Sequence, residues 1–171
     1  MRLFTPNLEV KKKVLDLHMV EKVKYCYQCS RCTEHCPVSQ LDSRYDPRVI
    51  VMQGLLGLSH MILQPEKQFD LWACQTCDMC NELCPNDIVL TDIFTILKNQ
   101  SMKMGLAPEA YQSQAKMVMQ TGQAIPLQDA IARRREKMAL PTLPLPDVGE
   151  IQKILKATQF DKKIGYEEGK K

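Results

Sequence analysis

The chain has 171 residues, 44% hydrophobic and 25% charged, which suits one domain or one domain with an extension. A formal charge of +3 and ten aromatic residues give no basic stripe with interleaved aromatics, so nucleic acid is not an expected partner. No apolar run approaches the roughly eighteen residues that span a bilayer, and residues 1–7 contain no apolar leader core, so the chain is expected to be cytoplasmic with no membrane span.

Residues 1–24 read as an amino-terminal helical arm. Asn7 is a candidate cap for a helix running to about residue 24. Val10, Val14 and Leu17 fall on one face, and Leu15, Met19 and Val23 on the other. The helix is either wholly buried or shared between the core and a partner. Asp46-Pro47 then starts a second helix, with Asp as cap and Pro at the first helical position, and Gly57 stops it. Val49, Met52 and Leu56 mark its apolar stripe. Leu58 to Leu63 makes a further short turn of helix, broken by Pro65.

Asn86 or Asp87 is the expected cap of a helix over residues 88–104. Leu90, Ile93, Phe94 and Leu97 form its apolar face, and Gly105 ends it. Residues 106–140 read as a helical extension. One helix opens at Pro108, carries Tyr111, Ala115 and Val118 in step, and ends at Gly122; another opens at Pro126 and reaches about residue 139. Residues 141–171 begin with a stiff linker through Pro141, Pro144 and Pro146. A short helix follows, marked by Val148, Ile151, Ile154, Leu155 and Thr158, then a charged tail expected to be mobile. The short helix either folds back or docks on another subunit, and the stiff linker favours docking. No segment reads as a strand, so the expected fold is mainly α.

The eight cysteines fall in two matching runs within residues 25–105. Cys26, Cys29, Cys32 and Cys36 are followed by Pro37; Cys74, Cys77, Cys80 and Cys84 are followed by Pro85. Both read C-x2-C-x2-C-x3-C-P, the spacing of a two-cluster iron–sulfur protein. Three cysteines at every third position let one coil of chain aim three thiolates into a common space. The fourth is pulled aside by its proline, and in this pattern it ligates the other cluster. The expected ligand sets for two [4Fe–4S] clusters are therefore Cys26, Cys29, Cys32 with Cys84, and Cys74, Cys77, Cys80 with Cys36. Zinc sites come as separated C-x2-4-C pairs without a third cysteine in step, and metal-spaced runs do not resemble a disulfide framework. With eight thiolates and two oxidised cluster cores counted, the formal +3 becomes about −1, so the apparent basicity is largely ligand compensation.

Several neighbours bear on cluster environment. His35 precedes a ligand and is either a hydrogen-bonding neighbour of a cluster or an exposed histidine. Trp72, two residues before Cys74, is expected to shield the second cluster from water, and Pro37 and Pro85 flank the crossing cysteines. Arg133, Arg134, Arg135 and Lys137 read chiefly as a solvated helix face, with a docking patch for an acidic partner as the alternative. There is no Gly-rich phosphate loop, no catalytic triad spacing and no spare cysteine nucleophile. The chain carries two expected electron carriers and no visible substrate site.

Thirty-seven residues separate Cys36 from Cys74, and they read as helical. This resembles a helical ferredoxin module, such as the one in succinate dehydrogenase iron–sulfur subunits, more than a compact bacterial ferredoxin. The run Cys26-Tyr-Gln-Cys29-Ser-Arg-Cys32-Thr-Glu-His-Cys36-Pro37-Val38, Asp46-Pro47-Arg48, Leu71-Trp72-Ala-Cys74, Cys80-Asn-Glu-Leu-Cys84-Pro85 and Val89-Leu-Thr-Asp92 together resemble the C subunit of heterodisulfide reductase over about residues 10–105. Ser30 stands where that family usually has glycine. The resemblance implies a cytosolic complex. In it a flavin- and iron–sulfur-bearing A subunit, fed by a hydrogenase or formate dehydrogenase, passes electrons through the C subunit to a CCG-motif B subunit, which reduces the coenzyme M–coenzyme B mixed disulfide. A separate short C chain implies the soluble rather than the membrane-bound type. A succinate dehydrogenase subunit would need further cysteines for a plant-type cluster. A free-standing dicluster ferredoxin would need neither the amino-terminal helix nor the tail after residue 105, and a structural or nucleic-acid protein fits a cross-ligated pair less well.

Overall fold

In the computed structural model, residues 5–16 and 21–167 are described. They fold as α-helices and short 3-10 turns, with no strand among them. They form two compact units, residues 1–107 and 108–171.

The first unit is built on α1 (Leu8–Leu15), α4 (Pro47–Leu55) and α7 (Leu90–Lys103). Asn7 caps α1, its Oδ1 accepting from the Glu9 and Val10 amides. The helix ends at Asp16, and a 3-10 turn covers Glu21–Tyr25, so the single long helix expected to residue 24 is not formed. Val10, Val14 and Val23 are buried, while Leu17 and Met19 lie outside the described residues.

Asp46 caps α4 through Val49 N at 3.2 Å, with Pro47 at its first position. Its buried face is Pro47, Ile50, Val51 and Gly54, not the expected stripe, of which Val49 and Leu56 are exposed and Met52 is half-buried. Helix spacing alone did not choose the face, because this helix is apolar nearly all round. Its neighbours choose it: α1 and α7 meet α4 at Gly54, where Ile93, Leu97 and Val14 lie 3.5–3.8 Å from the place a Cβ would take. At Gly57 (φ +70°) the chain stops the helix and closes on α1, Asn7 N donating to Gly57 O at 2.7 Å.

Helix α7 starts at Leu90, two residues later than expected, and neither Asn86 nor Asp87 caps it. Its apolar face is the expected one: Leu90, Ile93, Phe94 and Leu97 are buried. Between α4 and α7 lie turns over Ser59–Met61 and Pro65–Lys67, then α5 (Gln68–Trp72), which the sequence did not signal.

The second unit holds α8 (Glu109–Thr121), α9 (Asp129–Lys137), α10 (Val148–Ala157) and α11 (Phe160–Lys163). Gly122 (φ +69°) ends α8 as expected. Helix α10 folds back onto α8 rather than standing free: Gln152 Nε2 donates to Met119 O at 3.0 Å, and Pro146 and Ile151 close on Gly122 where no Cβ intervenes. The expected mobile tail is helical over Phe160–Lys163, and Ile164 is buried. Helix α9 buries nothing, and its Arg133, Arg134, Arg135 and Lys137 lie along it.

Candidate metal centre

The two cysteine runs adopt one backbone course, repeated 48 residues on. In the first, Gln28 (φ 57°) and Ser30 (φ 64°) are left-handed and lead into α2 (Arg31–Glu34). In the second, Thr76 (φ 53°) and Asp78 (φ 60°) do the same and lead into α6 (Met79–Glu82). Each pair of left-handed residues curls the chain around the first three cysteines of its run. Each fourth cysteine lies just past its short helix. A residue before proline is driven out of the helical region, and Cys36 is accordingly extended (φ −75°, ψ 119°) where Pro37 opens α3 (Pro37–Leu41).

That excursion delivers each fourth cysteine to the other run. One cavity is lined by Cys26, Cys29, Cys32 and Cys84, together with Pro85. A second is lined by Cys74, Cys77, Cys80 and Cys36, together with Pro37. The middle cysteine of each run, Cys29 and Cys77, is exposed; the other six are half-buried. Val51, Ile88 and Leu90 wall the first cavity, and Tyr45, Val38 and Phe94 the second. Four soft sulfur donors around one apolar-walled cavity are a donor set that fits an iron–sulfur cluster. Among the described residues no three His, Cys, Asp or Glu side chains converge where a single ion would sit.

Each ligand helix is braced on the first turn of a long helix. From α2, the Thr33 hydroxyl donates to the Asp46 carboxylate at 2.6 Å and accepts from Arg48 N at 3.3 Å. From α6, Asn81 Oδ1 accepts from Thr91 N at 3.2 Å, supplying the side-chain cap that Val89 cannot give α7. Asn81 Nδ2 donates to Thr91 Oγ1 at 2.7 Å and to Asp78 Oδ1 at 2.9 Å. Asn86, the expected cap, instead donates to Tyr25 O, and Asp87 pairs with Lys22 at 3.2 Å.

Neutral donors reach both cavities. Gln28 Nε2 donates to Cys26 Sγ at 3.2 Å, and Thr76 N to Cys74 Sγ at 3.4 Å. Tyr45, fully buried and edge-on to Phe94, lines the second cavity; burial first, then the neighbouring Cys74, push its ionisation far up. Burial likewise pushes the Cys32 thiol up to about 11 and the Cys80 thiol up to about 12, so without metal both hold their protons.

Of the expected environment residues, Pro37 and Pro85 line the cavities and the other two do not. His35 is exposed and closes α2. Trp72 is buried in the core, its indole N–H donating to Ser101 Oγ at 3.2 Å, with Lys98 stacked 5.6 Å from its ring and bonded to Cys74 O. It buttresses the segment that leads into Cys74. The lining residues that sequence reasoning missed include Gln28, Arg31, Tyr45, Arg48 and Asp78; Gln28, Arg31 and Asp78 had a signal in their place within the cysteine runs, and Arg48 in the first turn after Asp46-Pro47.

Residues 22–88 match the 4Fe-4S dicluster domain family. The chain is similar to the C subunit of the H(2):CoB-CoM heterodisulfide,ferredoxin reductase of Methanothermobacter marburgensis, 33% identical over 92% of this chain and 90% of that one. It is also similar to the iron-sulfur C subunit of the CoB--CoM heterodisulfide reductase of Methanopyrus kandleri (34%; 93% of this chain, 84% of that one). A third relative is the C subunit of the ferredoxin:CoB-CoM heterodisulfide reductase of Methanosarcina mazei (27%; 80% and 85%). With a dicluster family match across both runs and a third of its residues shared along nearly the whole length of such relatives, this chain belongs to the iron–sulfur C-subunit family of CoB–CoM heterodisulfide reductases.

Proposed function

We propose that this chain is the non-catalytic electron-transfer subunit of a cytoplasmic heterodisulfide reductase complex. It would stand between a flavin- and iron–sulfur-bearing A subunit, fed by a hydrogenase or a formate dehydrogenase, and a CCG-motif B subunit that reduces the CoM-S-S-CoB disulfide or a related one. The observation that carries this reading is the pair of cavities, each lined by three cysteines of one run and the fourth of the other. Cys26, Cys29, Cys32 and Cys84 hold one [4Fe–4S] cluster; Cys74, Cys77, Cys80 and Cys36 hold the second. Bound there, the clusters supply one-electron redox chemistry. The chain's own residues do the rest: the left-handed loops aim the thiolates, Pro37 and Pro85 send the fourth sulfurs across, and the apolar walls keep water away. Residues 108–167 form a helical extension that we assign to docking within the complex.

The test is anaerobic purification from the native host with every co-purifying protein identified by mass spectrometry. A flavoprotein and a CCG-motif protein in fixed ratio are the expected companions. A chain that emerges alone with its iron intact is a free ferredoxin instead. The crossing has its own test: Cys84→Ser should first alter the spectroscopic signal of the cluster on the Cys26 run, and a change confined to the Cys74-run cluster would overturn it.

A further inference from the structure

The two cavities share a backbone but not their charges. Gln28 Nε2 and the Thr76 amide give each a neutral donor to a first cysteine, Cys26 and Cys74 respectively. Among the described residues, two guanidinium side chains, Arg31 and Arg48, and no carboxylate line the Cys26 cavity. Among the same residues, the Asp78 carboxylate and no cation line the Cys74 cavity. Lys98 lies behind that second cavity, bonded to the Cys74 carbonyl at 3.0 Å, and offsets Asp78 in part.

Arg48 is held in an unusual way. Its Nη1 donates to Gln28 Oε1 at 3.3 Å, and Gln28 in turn donates to the Cys26 sulfur. Its nearest carboxylate among the described residues is Asp46, whose Oδ2 lies 3.9 Å from Nη2 while its Oδ1 accepts from Thr33 and Val49. Its Nε is buried with no hydrogen-bond partner among the described residues. A buried guanidinium N–H left unpaired is costly. The cost disappears when an anionic sulfur-rich group fills the cavity the side chain lines.

We propose that Arg48 donates through Nε to the cluster held by Cys26, Cys29, Cys32 and Cys84, and that it makes this cluster the higher-potential member of the pair. Positive charge and donors at the sulfurs favour the added electron, because reduction makes a cluster more negative. One electron given to the chain by a one-electron donor therefore comes to rest on the Cys26 side, and an electron accepted on the Cys74 side runs downhill toward Arg48. No proton need move with it. The proposal rests on the two-cluster reading above.

The experiment is an anaerobic dithionite titration of the loaded full-length chain, followed by electron paramagnetic resonance, for wild type, Arg48→Gln, Arg48→Lys and Arg31→Gln. Cys29→Ser and Cys77→Ser label which signal belongs to which run. Two one-electron steps are expected, with the Cys29-labelled step at the higher potential. Arg48→Gln should shift that step downward and leave the Cys77-labelled step in place, and Arg48→Lys should restore part of the shift. Arg31 is exposed, so Arg31→Gln folds even if Arg48→Gln loads poorly; it should give a smaller shift of the same sign. A Cys77-labelled step at the higher potential, or Arg48→Gln and Arg31→Gln both leaving the Cys29-labelled step unmoved, overturns the proposal. A chain whose iron content corresponds to fewer than two clusters instead overturns the two-cluster reading, and the inference with it.

Discussion

The two units of this protein are held together in different ways. Residues 5–107 bury a continuous apolar core in which Val14, Val23, Ile93 and Leu97 are wholly inaccessible, and six of the eight cysteines pack against it. In residues 108–167 only Met119 and Ile164 are buried among the large apolar side chains, while Ile125, Met138, Leu145 and Ile154 are mostly exposed. The first unit has a core that positions a site. The second has helices that rely on caps and on few helix contacts, and much of its apolar surface is exposed. Both units are helical; what separates them is how much each segment buries.

The sharpest way to break this contrast is to remove the metal. Chelation of the loaded chain should abolish hydrogen-exchange protection across residues 25–86 while the amides of α8 and α10 keep theirs. Protection that persists around the cysteine loops would show that the apolar core alone holds them. Assembly should also depend on pH. Burial favours the protonated Cys32 and Cys80 thiols, which titrate at about 11 and about 12, so metal must displace protons that water would remove only in strong base. Proton release on iron–sulfur reconstitution, and a greater extent of loading at pH 9 than at pH 7, are the expected observations.

Next in size is Phe94→Ala. It truncates a side chain that is 2% exposed and lies both in the core and against the Cys74 cavity, and should cost about 3–5 kcal/mol of first-unit stability in denaturant unfolding. Two glycines of the same unit should answer with opposite signs. Gly57→Ala forces a side chain into a left-handed position, with its Cβ 2.7 Å from Asn7 O, and should destabilise by at least about 1–2 kcal/mol. Gly54→Ala meets only ordinary contacts inside a helix and should gain up to about 1 kcal/mol. The smallest effect belongs to the second unit. Asp147 caps α10 through the Gly149 and Glu150 amides at 2.8 and 3.1 Å, and Asp147→Ala should cost about 1 kcal/mol, read as exchange in α10 with the first unit unaffected.

What the sequence made legible follows the same division. Ligand spacing is local chemistry, and it announced the paired sulfurs that the structure gathers around two cavities. Turn chemistry is local too, so Gly57, Gly105 and Gly122 stop helices where they were expected to. The departure at Ser30 acquires a reason in the structure: at φ 64° the position is one that glycine occupies without strain. The face of α4 was not legible, because it is fixed by the approach of α1 and α7 to Gly54, contacts distant in sequence. Arg48 and Tyr45 escaped for the same reason: no spacing relates either to a cysteine, and only the folded chain brings Arg48, 20 residues from Gln28, into contact with it.

The exchange of fourth cysteines bears on how such a carrier fails. With ligands crossed as proposed, oxidative loss of one cluster frees three sulfurs of one loop and the fourth of the other, and so loosens the seat of the remaining cluster. Damage then spreads from one seat to both, much as a blown fuse opens a whole circuit. A half-loaded chain, able to accept an electron and unable to hand it on, would be short-lived and would have little time to leak that electron to oxygen. Iron released by a graded oxidant in two resolved steps, rather than one, would contradict this behaviour.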